Sequence, residues 1–175
     1  MDVMTAMKNR RSIRKFTADV VEDGVLRDLI LEAGIWAPTG NAQGWRFVVI
    51  TDRQILNKIK SVSPGLLGNP SAVIVVCHDL VYALKTGGEF GVKTASLMDT
   101  AMAAQNIMLA AHARGLGTCA VASFHPQAVQ RIIELPEHIC PQLLITLGIP
   151  GEVRTAPKRN HDVIWFNSYE DERDA

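Results

Sequence analysis

The chain of 175 residues is 47% hydrophobic, and its 18 basic and 18 acidic side chains give a formal net charge of zero. This length predicts a single domain, residues 1–175, with a sizeable core. The balanced charge argues against a protein that follows a nucleic-acid backbone with a whole basic face. Cys77, Cys119 and Cys140 form no CxxC pair and no metal-ligand spacing with the five histidines. They predict reduced thiols, a cytoplasmic setting and no metal site.

Apolar stretches of strand length alternate with helical patterns along the chain. The stretches that predict strands are residues 45–51, 72–78, 118–124 and 142–149, with a fifth at residues 162–166. Capping residues and helical spacing predict helices at residues 2–9, 26–37, 93–114 and 126–135, and one that begins after Asp52. This interleaving predicts a layered α/β or α+β domain.

The helix predicted at residues 93–114 is apolar on two faces. One face carries Ala101, Ala104, Met108 and Ala111, and the other carries Met102, Ile107, Leu109 and Ala110. A helix that is apolar all round is buried all round, so we expect a second subunit to cover one side. Because polar residues such as Asp99 and His112 interrupt this region, and because the N-terminus lacks a long apolar core, we expect neither a membrane span nor a signal peptide.

The segment between Asp79 and Asp99 has no clear pattern. Gly87, Gly88 and Gly91 lie close together in it. It is either a mobile lid or an ordinary loop, and the sequence does not choose between them.

The stretch KNRRSIRKF, residues 8–16, carries five basic side chains and no acid. If it runs extended, Arg10, Ser12 and Arg14 point one way and Ile13 points toward the core. Two forked guanidinium groups beside a hydroxyl are suited to a phosphate. The alternative is a solvated basic surface.

A second polar stretch, APTGNAQGWRF, joins a predicted helix to a predicted strand. The amides of Asn41 and Gln43 offer both donors and acceptors, which suits the edge of a heterocycle. The alternative is a polar turn with a cap. Since no nucleophile motif, metal motif or carboxylate pair is visible elsewhere, an enzyme of this sequence needs a cofactor for its chemistry.

In this order and spacing, five motifs resemble the nitroreductase family of FMN-dependent oxidoreductases. They are RRSIRKF, APTGNAQGWRFVVI, DTAMAAQNIMLAAHARGLGTC, LLITLGIPGE and PKRN, and together they extend over nearly the whole chain. The resemblance implies an α+β fold with a mixed central β-sheet flanked by helices. It also implies an intertwined homodimer with FMN sites at the subunit interface.

The same resemblance implies which residues bind FMN. Those expected to hold its phosphate, ribityl chain and ring edge are Arg10, Arg11, Ser12 and Arg14, and those expected to complete the phosphate site are Lys158 and Arg159. Those expected to meet the flavin ring from the partner subunit are Pro38, Thr39, Gly40, Asn41 and Gln43. Those whose backbone is expected to face the ring near N5 are Val121, Ala122 and Ser123.

The function implied is an FMN-dependent oxidoreductase. NAD(P)H would reduce the flavin at N5, and a flat acceptor such as a nitroaromatic or a quinone would then be reduced in the same pocket. We assign no side chain as acid or base. Two alternatives stay open: another flavin reaction on the same fold, such as reductive dehalogenation, and a non-enzymatic nucleic-acid binder that uses the basic run.

Overall fold

The computed structural model describes residues 1–37, 40–153 and 155–169, which form a layered α+β arrangement. Its helices are α1 (Val3–Asn9), α2 (Asp23–Glu32), α3 (Arg53–Ser61), α4 (Leu80–Phe90), α5 (Ser96–Ala113) and α6 (Pro126–Ile132). Its strands are β1 (Trp45–Ile50), β2 (Ala72–Asp79), β3 (Gly117–Val121) and β4 (Ile139–Gly148). The α+β class predicted from the sequence is confirmed.

The four strands form one sheet in the order β1-β2-β4-β3, and each neighbouring pair is antiparallel. The sheet becomes mixed through a parallel bridge between Ser12 and Thr118, which sets the basic N-terminal segment against β3. β1 and β3 are therefore the two edges of the four-stranded sheet, and the basic segment lies outside β3.

The two faces of the sheet pack on different helices. Alternate side chains of β2 point to opposite faces, so that Ile74 joins a core cluster with α2 and α5, whereas Val73 joins a cluster with α3 and α6. All residues of β2 except the last are buried. The continuous apolar run in the sequence reflects this burial from both sides.

Helices α1 and α3 begin at the capping residues that the sequence predicts. The Asp2 carboxylate accepts a hydrogen bond from the Thr5 backbone N–H at 3.0 Å, and Asp52 accepts two at the start of α3. Several ends differ from the prediction. α2 begins at Asp23 instead of residue 26, and α6 ends at Ile132 instead of residue 135. α2 ends at Glu32 and continues only as a 3₁₀ turn, and α5 begins as an α-helix at Ser96.

The segment predicted as a mobile lid or an ordinary loop is helical, which corrects the loop reading. α4 contains a break at Gly88, where φ is 57° and ψ is −149°, and a π-helical turn at Gly91–Ala95 connects it to α5. Glycine is the residue that adopts the backbone conformation of this break without strain. The glycines that obscured the helical pattern in the sequence therefore shape a broken helix.

The predicted fifth strand at residues 162–166 is wrong. These residues form no strand, and Ile164 and Phe166 are 72% and 84% exposed. A β-strand needs a neighbouring edge to satisfy its backbone groups, and this segment has no strand partner in the part of the chain that the structure describes. In the same part, no helix combines the length and apolar character that a bilayer crossing requires.

Candidate functional site

The basic segment leaves the end of α1 and crosses the end of the sheet where β3 begins and β4 ends. The backbone N–H of Ile13 donates to the Thr118 carbonyl at 2.8 Å, and Phe16 forms a bridge to Pro150. Ile13 is 5% exposed, whereas Ser12 and Arg14 on either side of it are exposed. The predicted alternation of this segment is therefore confirmed from Ser12 to Arg14.

Two glycines allow the segment to lie this close to its neighbours. A Cβ added at Gly117 would meet the Ile13 side chain at 2.9 Å. A Cβ at Gly68 would lie 2.1 Å from the carbonyl oxygen of Arg14, and Gly68 also has a positive φ of 74°. These close contacts allow the backbone of the basic segment to pack directly against β3 and against the turn that contains Gly68.

Arg10 lies near other basic side chains, one of which comes from a distant part of the sequence. Burial lowers the pKa of its guanidinium, and the neighbouring cations Arg11 and Arg159 lower it further, while Cys119 acts in the opposite direction. Among the ion pairs of the described residues, none involves Arg10, Arg14 or Arg159. Within the described residues, the cations around Arg10 thus have no carboxylate ion-pair partner, which is the electrostatic character of an anion site.

Arg11 has a local role that the sequence prediction missed. One of its terminal nitrogens donates to the carbonyls of Lys8 and Arg10, at 2.7 and 2.8 Å, at the end of α1. Basic side chains near helix C-termini commonly hydrogen-bond the last carbonyls. The structure therefore gives Arg11 a capping role, and its contact with FMN stays a prediction.

His112 lies beside the same cations. Burial lowers its pKa, and Arg10 and Arg11 lower it further. Its Nε2 is buried without a hydrogen-bond partner among the described residues. The lowered pKa favours the neutral imidazole, which adds no positive charge beside Arg10 and Arg11.

The polar loop before β1 has an unusual backbone. Gly40, Asn41 and Gln43 have positive φ angles of 53°, 56° and 52°. The Gln43 amide nitrogen donates to the Asn41 side-chain oxygen at 2.9 Å, and both residues are exposed. Pro38 and Thr39, which were also predicted to meet the ring, lie outside the described residues.

The loop and the basic segment lie far apart within one chain. Trp45, which follows the loop, is level with His78 and Cys140 in the strand register. Thr118, which contacts the basic segment, is level with Leu147 near the other end of β4. Strand spacings of about 4.8 Å and a rise of about 3.3 Å per residue place Trp45 and Thr118 more than ~20 Å apart, near diagonally opposite corners of the sheet.

The predicted N5-facing residues form the end of β3 and the two positions after it, and the turn after α3 holds them in place. The backbone N–H of Gly65 donates to the Ser123 carbonyl at 3.0 Å. Val121 is buried in the core, while the side chains of Ala122 and Ser123 are exposed. The structure therefore places this stretch on the same edge of the sheet as the basic segment, which joins β3 at Thr118.

A cavity of about 240 Å³ adjoins the polar loop and α4. Its wall includes Gly44, His78, Phe90 and Asp99. A Cβ at Gly44 would lie 2.9 Å from His78 Nε2, so a side chain there would require the buried His78 to move. Burial lowers the pKa of His78. Within the described residues, no group of three or more His, Cys, Asp or Glu side chains is arranged to hold a metal ion.

Comparisons with known proteins agree with these features. The sequence model of the Nitroreductase family matches residues 7–67 and 64–149. The chain is 35% identical over 159 residues to a Methanothermobacter thermautotrophicus protein with the provisional name NADH dehydrogenase/NAD(P)H nitroreductase, covering 87% of this chain and 79% of that protein. It is 26% identical over 164 residues to the FMN reductase (NADPH) of Bacillus subtilis, covering 83% and 64%. A crystal structure from Parabacteroides distasonis, again named provisionally as NADH dehydrogenase/NAD(P)H nitroreductase, superposes with a TM-score of 0.83 at 30% identity over 95% of this chain and 98% of that chain.

Proposed function

Because the chain belongs to the Nitroreductase family, we propose that it is an FMN-dependent oxidoreductase that passes electrons from NAD(P)H to a flat acceptor such as a nitroaromatic or a quinone. The names of its relatives, an NAD(P)H nitroreductase and an FMN reductase that uses NADPH, support this donor and this cofactor. When bound, FMN supplies a ring whose N5 accepts hydride and whose reduced form passes electrons on. The residues of the chain bind, orient and shield that ring.

The residues proposed for the phosphate fit a dianion. Arg10, Ser12 and Arg14 offer forked and single donors, and Arg159 adds a cation from late in the chain, with Lys158 beside it. A phosphate monoester carries close to two negative charges at neutral pH. The like charges that lower the pKa of Arg10 would then face an anion that compensates them.

The residues proposed for the ring come from two chains. Asn41 and Gln43 are exposed amides on a loop with a defined backbone, suited to the alternating carbonyl and N–H groups of the ring edge. Gly40, Pro38 and Thr39 belong to the same proposed surface. In the other chain, the backbone of Val121, Ala122 and Ser123 would face N5.

One observation carries this proposal. The polar loop and the basic segment belong to opposite ends of the sheet, which lie more than ~20 Å apart. Two groups this far apart do not reach one ligand from one chain. A homodimer resolves the separation, because the loop of one subunit can meet the basic segment of the other. Exposed apolar residues on α1 and α5, among them Met4, Met7, Leu97 and Met98, support such an interface.

The decisive experiment is the absorbance spectrum of the purified protein, followed by mass analysis of the released flavin. We expect a yellow protein that releases FMN. The proposed phosphate set suits a terminal phosphate, and stoichiometric FAD would contradict it. Turnover with NADH and NADPH across nitroaromatic, quinone and halogenated acceptors then separates the proposed activity from reductive dehalogenation. A colourless protein that does not bind added FMN would overturn the proposal.

A further inference from the structure

The backbone of Gln43 has a conformation that its side chain does not favour. Its φ of 52° lies in the left-handed region, which glycine and asparagine adopt far more readily than glutamine. Such a residue keeps this conformation only where its surroundings hold it there. Contacts with neighbouring residues must therefore hold the polar loop in this conformation.

Arg46 supplies the first contact. Its Nη1 donates to the Gln43 carbonyl at 3.1 Å and to the Trp45 carbonyl at 2.9 Å, so that one nitrogen fixes the carbonyls on both sides of Gly44. Its Nη2 donates to Asp79 Oδ2 at 2.9 Å. Bonds between arginine and a carboxylate or a carbonyl are directional as well as charge-assisted.

Asp79 connects this contact to α4. Its other oxygen, Oδ1, accepts the Tyr82 backbone N–H at 2.9 Å and caps the helix, and its own backbone N–H donates to the Gly44 carbonyl at 3.0 Å. The Arg46 guanidinium also lies over the Tyr82 ring, 5.6 Å from its centre. The Asp79 side chain is 13% exposed and the Arg46 side chain is 42% exposed, so that water competes less at the carboxylate than at the guanidinium.

We propose that Arg46 and Asp79 form a positioning clamp that holds the polar loop in its left-handed conformation and couples it to α4, the helix that lines the adjoining cavity. The clamp touches neither the flavin nor the acceptor. It acts through the backbone of Gln43 and Gly44, so that Asn41 and Gln43 meet the ring in one arrangement. The inference deepens the proposed function and rests on it, since it assumes that this loop meets FMN.

The clamp is tested with Arg46→Ala and Arg46→Lys, and with Arg53→Ala as the matched control. Arg53 also donates to a backbone carbonyl, that of Pro70 at 2.9 Å, but it follows the opposite end of β1. In Arg46→Ala we expect the FMN dissociation constant to rise about tenfold, kcat to fall more than KM rises, and the visible flavin spectrum to shift. Arg46→Lys should recover part of each effect, and Arg53→Ala should show none of them.

A double substitution separates positioning from general stability. Glycine adopts a positive φ without penalty, so in the Gln43→Gly background the further change Arg46→Ala should alter FMN affinity less than about twofold. An effect of Arg46→Ala that is equally large in both backgrounds would overturn the clamp. So would wild-type affinity and spectrum in Arg46→Ala.

A second readout does not depend on flavin. Hydrogen exchange of the full-length protein should become faster in Arg46→Ala for peptides covering residues 40–46 and 79–84, and stay unchanged in Arg53→Ala. If the wild type binds no FMN, the proposed function fails while this measurement still decides the clamp. Unchanged exchange at both segments would refute it.

Discussion

Arg10 shows how single residues define the candidate site. Its guanidinium is half-buried beside two other cations, and its pKa is lowered by burial and by those cations. Burying like charges together costs free energy unless an anion compensates it. Arg14, on the exposed side of the same segment, is free of this burial and serves better as a test of anion binding.

We predict that Arg14→Ala weakens FMN binding more than Arg14→Lys does. Lysine keeps the charge and loses the forked donor geometry. The loss in Arg14→Ala should be about 1.5–3 kcal/mol, the range of a hydrogen bond to a charged group. Fluorescence titration with FMN measures it, with Arg131→Ala, an exposed arginine on α6, as the control. Equal affinity of Arg14→Ala and wild type would make Arg14 a surface residue.

At the scale of elements, α4 is the least regular helix next to the candidate site. Gly88 interrupts it with a backbone conformation that other residues avoid, and the π-helical turn at Gly91–Ala95 follows. At Gly91 an added Cβ would lie 2.4 Å from the Ala83 carbonyl oxygen. The break therefore has two parts, a conformational one at Gly88 and a steric one at Gly91.

We predict opposite effects for substitutions at two adjacent glycines of α4. Gly88→Ala should lower the free energy of unfolding by about 1–3 kcal/mol, because alanine is strained at this φ and ψ. Gly87→Ala should raise it by about 0.5–1 kcal/mol, since Gly87 has room for a Cβ and no positive φ. Urea denaturation of the two variants measures the difference. If both variants are stabilised, the break at Gly88 is not a feature of the folded protein.

At the scale of the whole molecule, the buried His78 and the half-buried His112 link stability to pH. Burial lowers the pKa of both His78 and His112 in the folded chain. For His78, Asp79 opposes this shift and Arg46 adds to it. The unfolded chain, with histidine pKa values near ~6.5, therefore binds more protons than the folded chain below that pH.

We predict that the contribution of these histidines to the free energy of unfolding is constant above about pH 6.5. The free energy of unfolding should fall as the pH drops below that value. Each histidine contributes a slope of at most about 1.4 kcal/mol per pH unit. His78→Gln should reduce the slope measured by urea denaturation between about pH 5 and 7. His161→Gln, at an exposed position, should leave it unchanged. An unaltered slope in His78→Gln would contradict the assignment.

The proposed homodimer gives a complementation test at the same scale. A subunit with Arg14→Ala and one with Asn41→Asp should each form homodimers with defective flavin sites. In the mixed dimer, one site collects both defects and the other collects neither. Co-expressed subunits with different tags should therefore recover about one FMN per mixed dimer, measured by flavin absorbance.

The complementation test has clear contrary outcomes. If Arg14 and Asn41 served a site within one chain, each site of the mixed dimer would carry one defect and no recovery would appear. A protein that is monomeric by sedimentation and still binds FMN tightly would refute the shared site directly.

Much of this protein follows from its sequence alone. Local patterns determined the four strands, the caps Asp2 and Asp52, and the alternation around Ile13, because each depends on neighbours only a few residues away. The family motifs indicate FMN without reference to any tertiary contact. Two predictions are wrong because they depend on more than local patterns. The fifth strand predicted at residues 162–166 lacks an edge to pair with, and the glycines of α4 do not prevent a broken helix.

Only the tertiary structure decided which residues act together. The approach of Arg159 to Arg10 and of His112 to both Arg10 and Arg11 depends on long-range packing that no local pattern encodes. The bond of Arg46 to Asp79 exists because β1 and β2 pair in one register, whereas its bond to Gln43 is local. The same register separates the polar loop from the basic segment, since antiparallel strands carry the residues before β1 and beside β3 to opposite ends of the sheet.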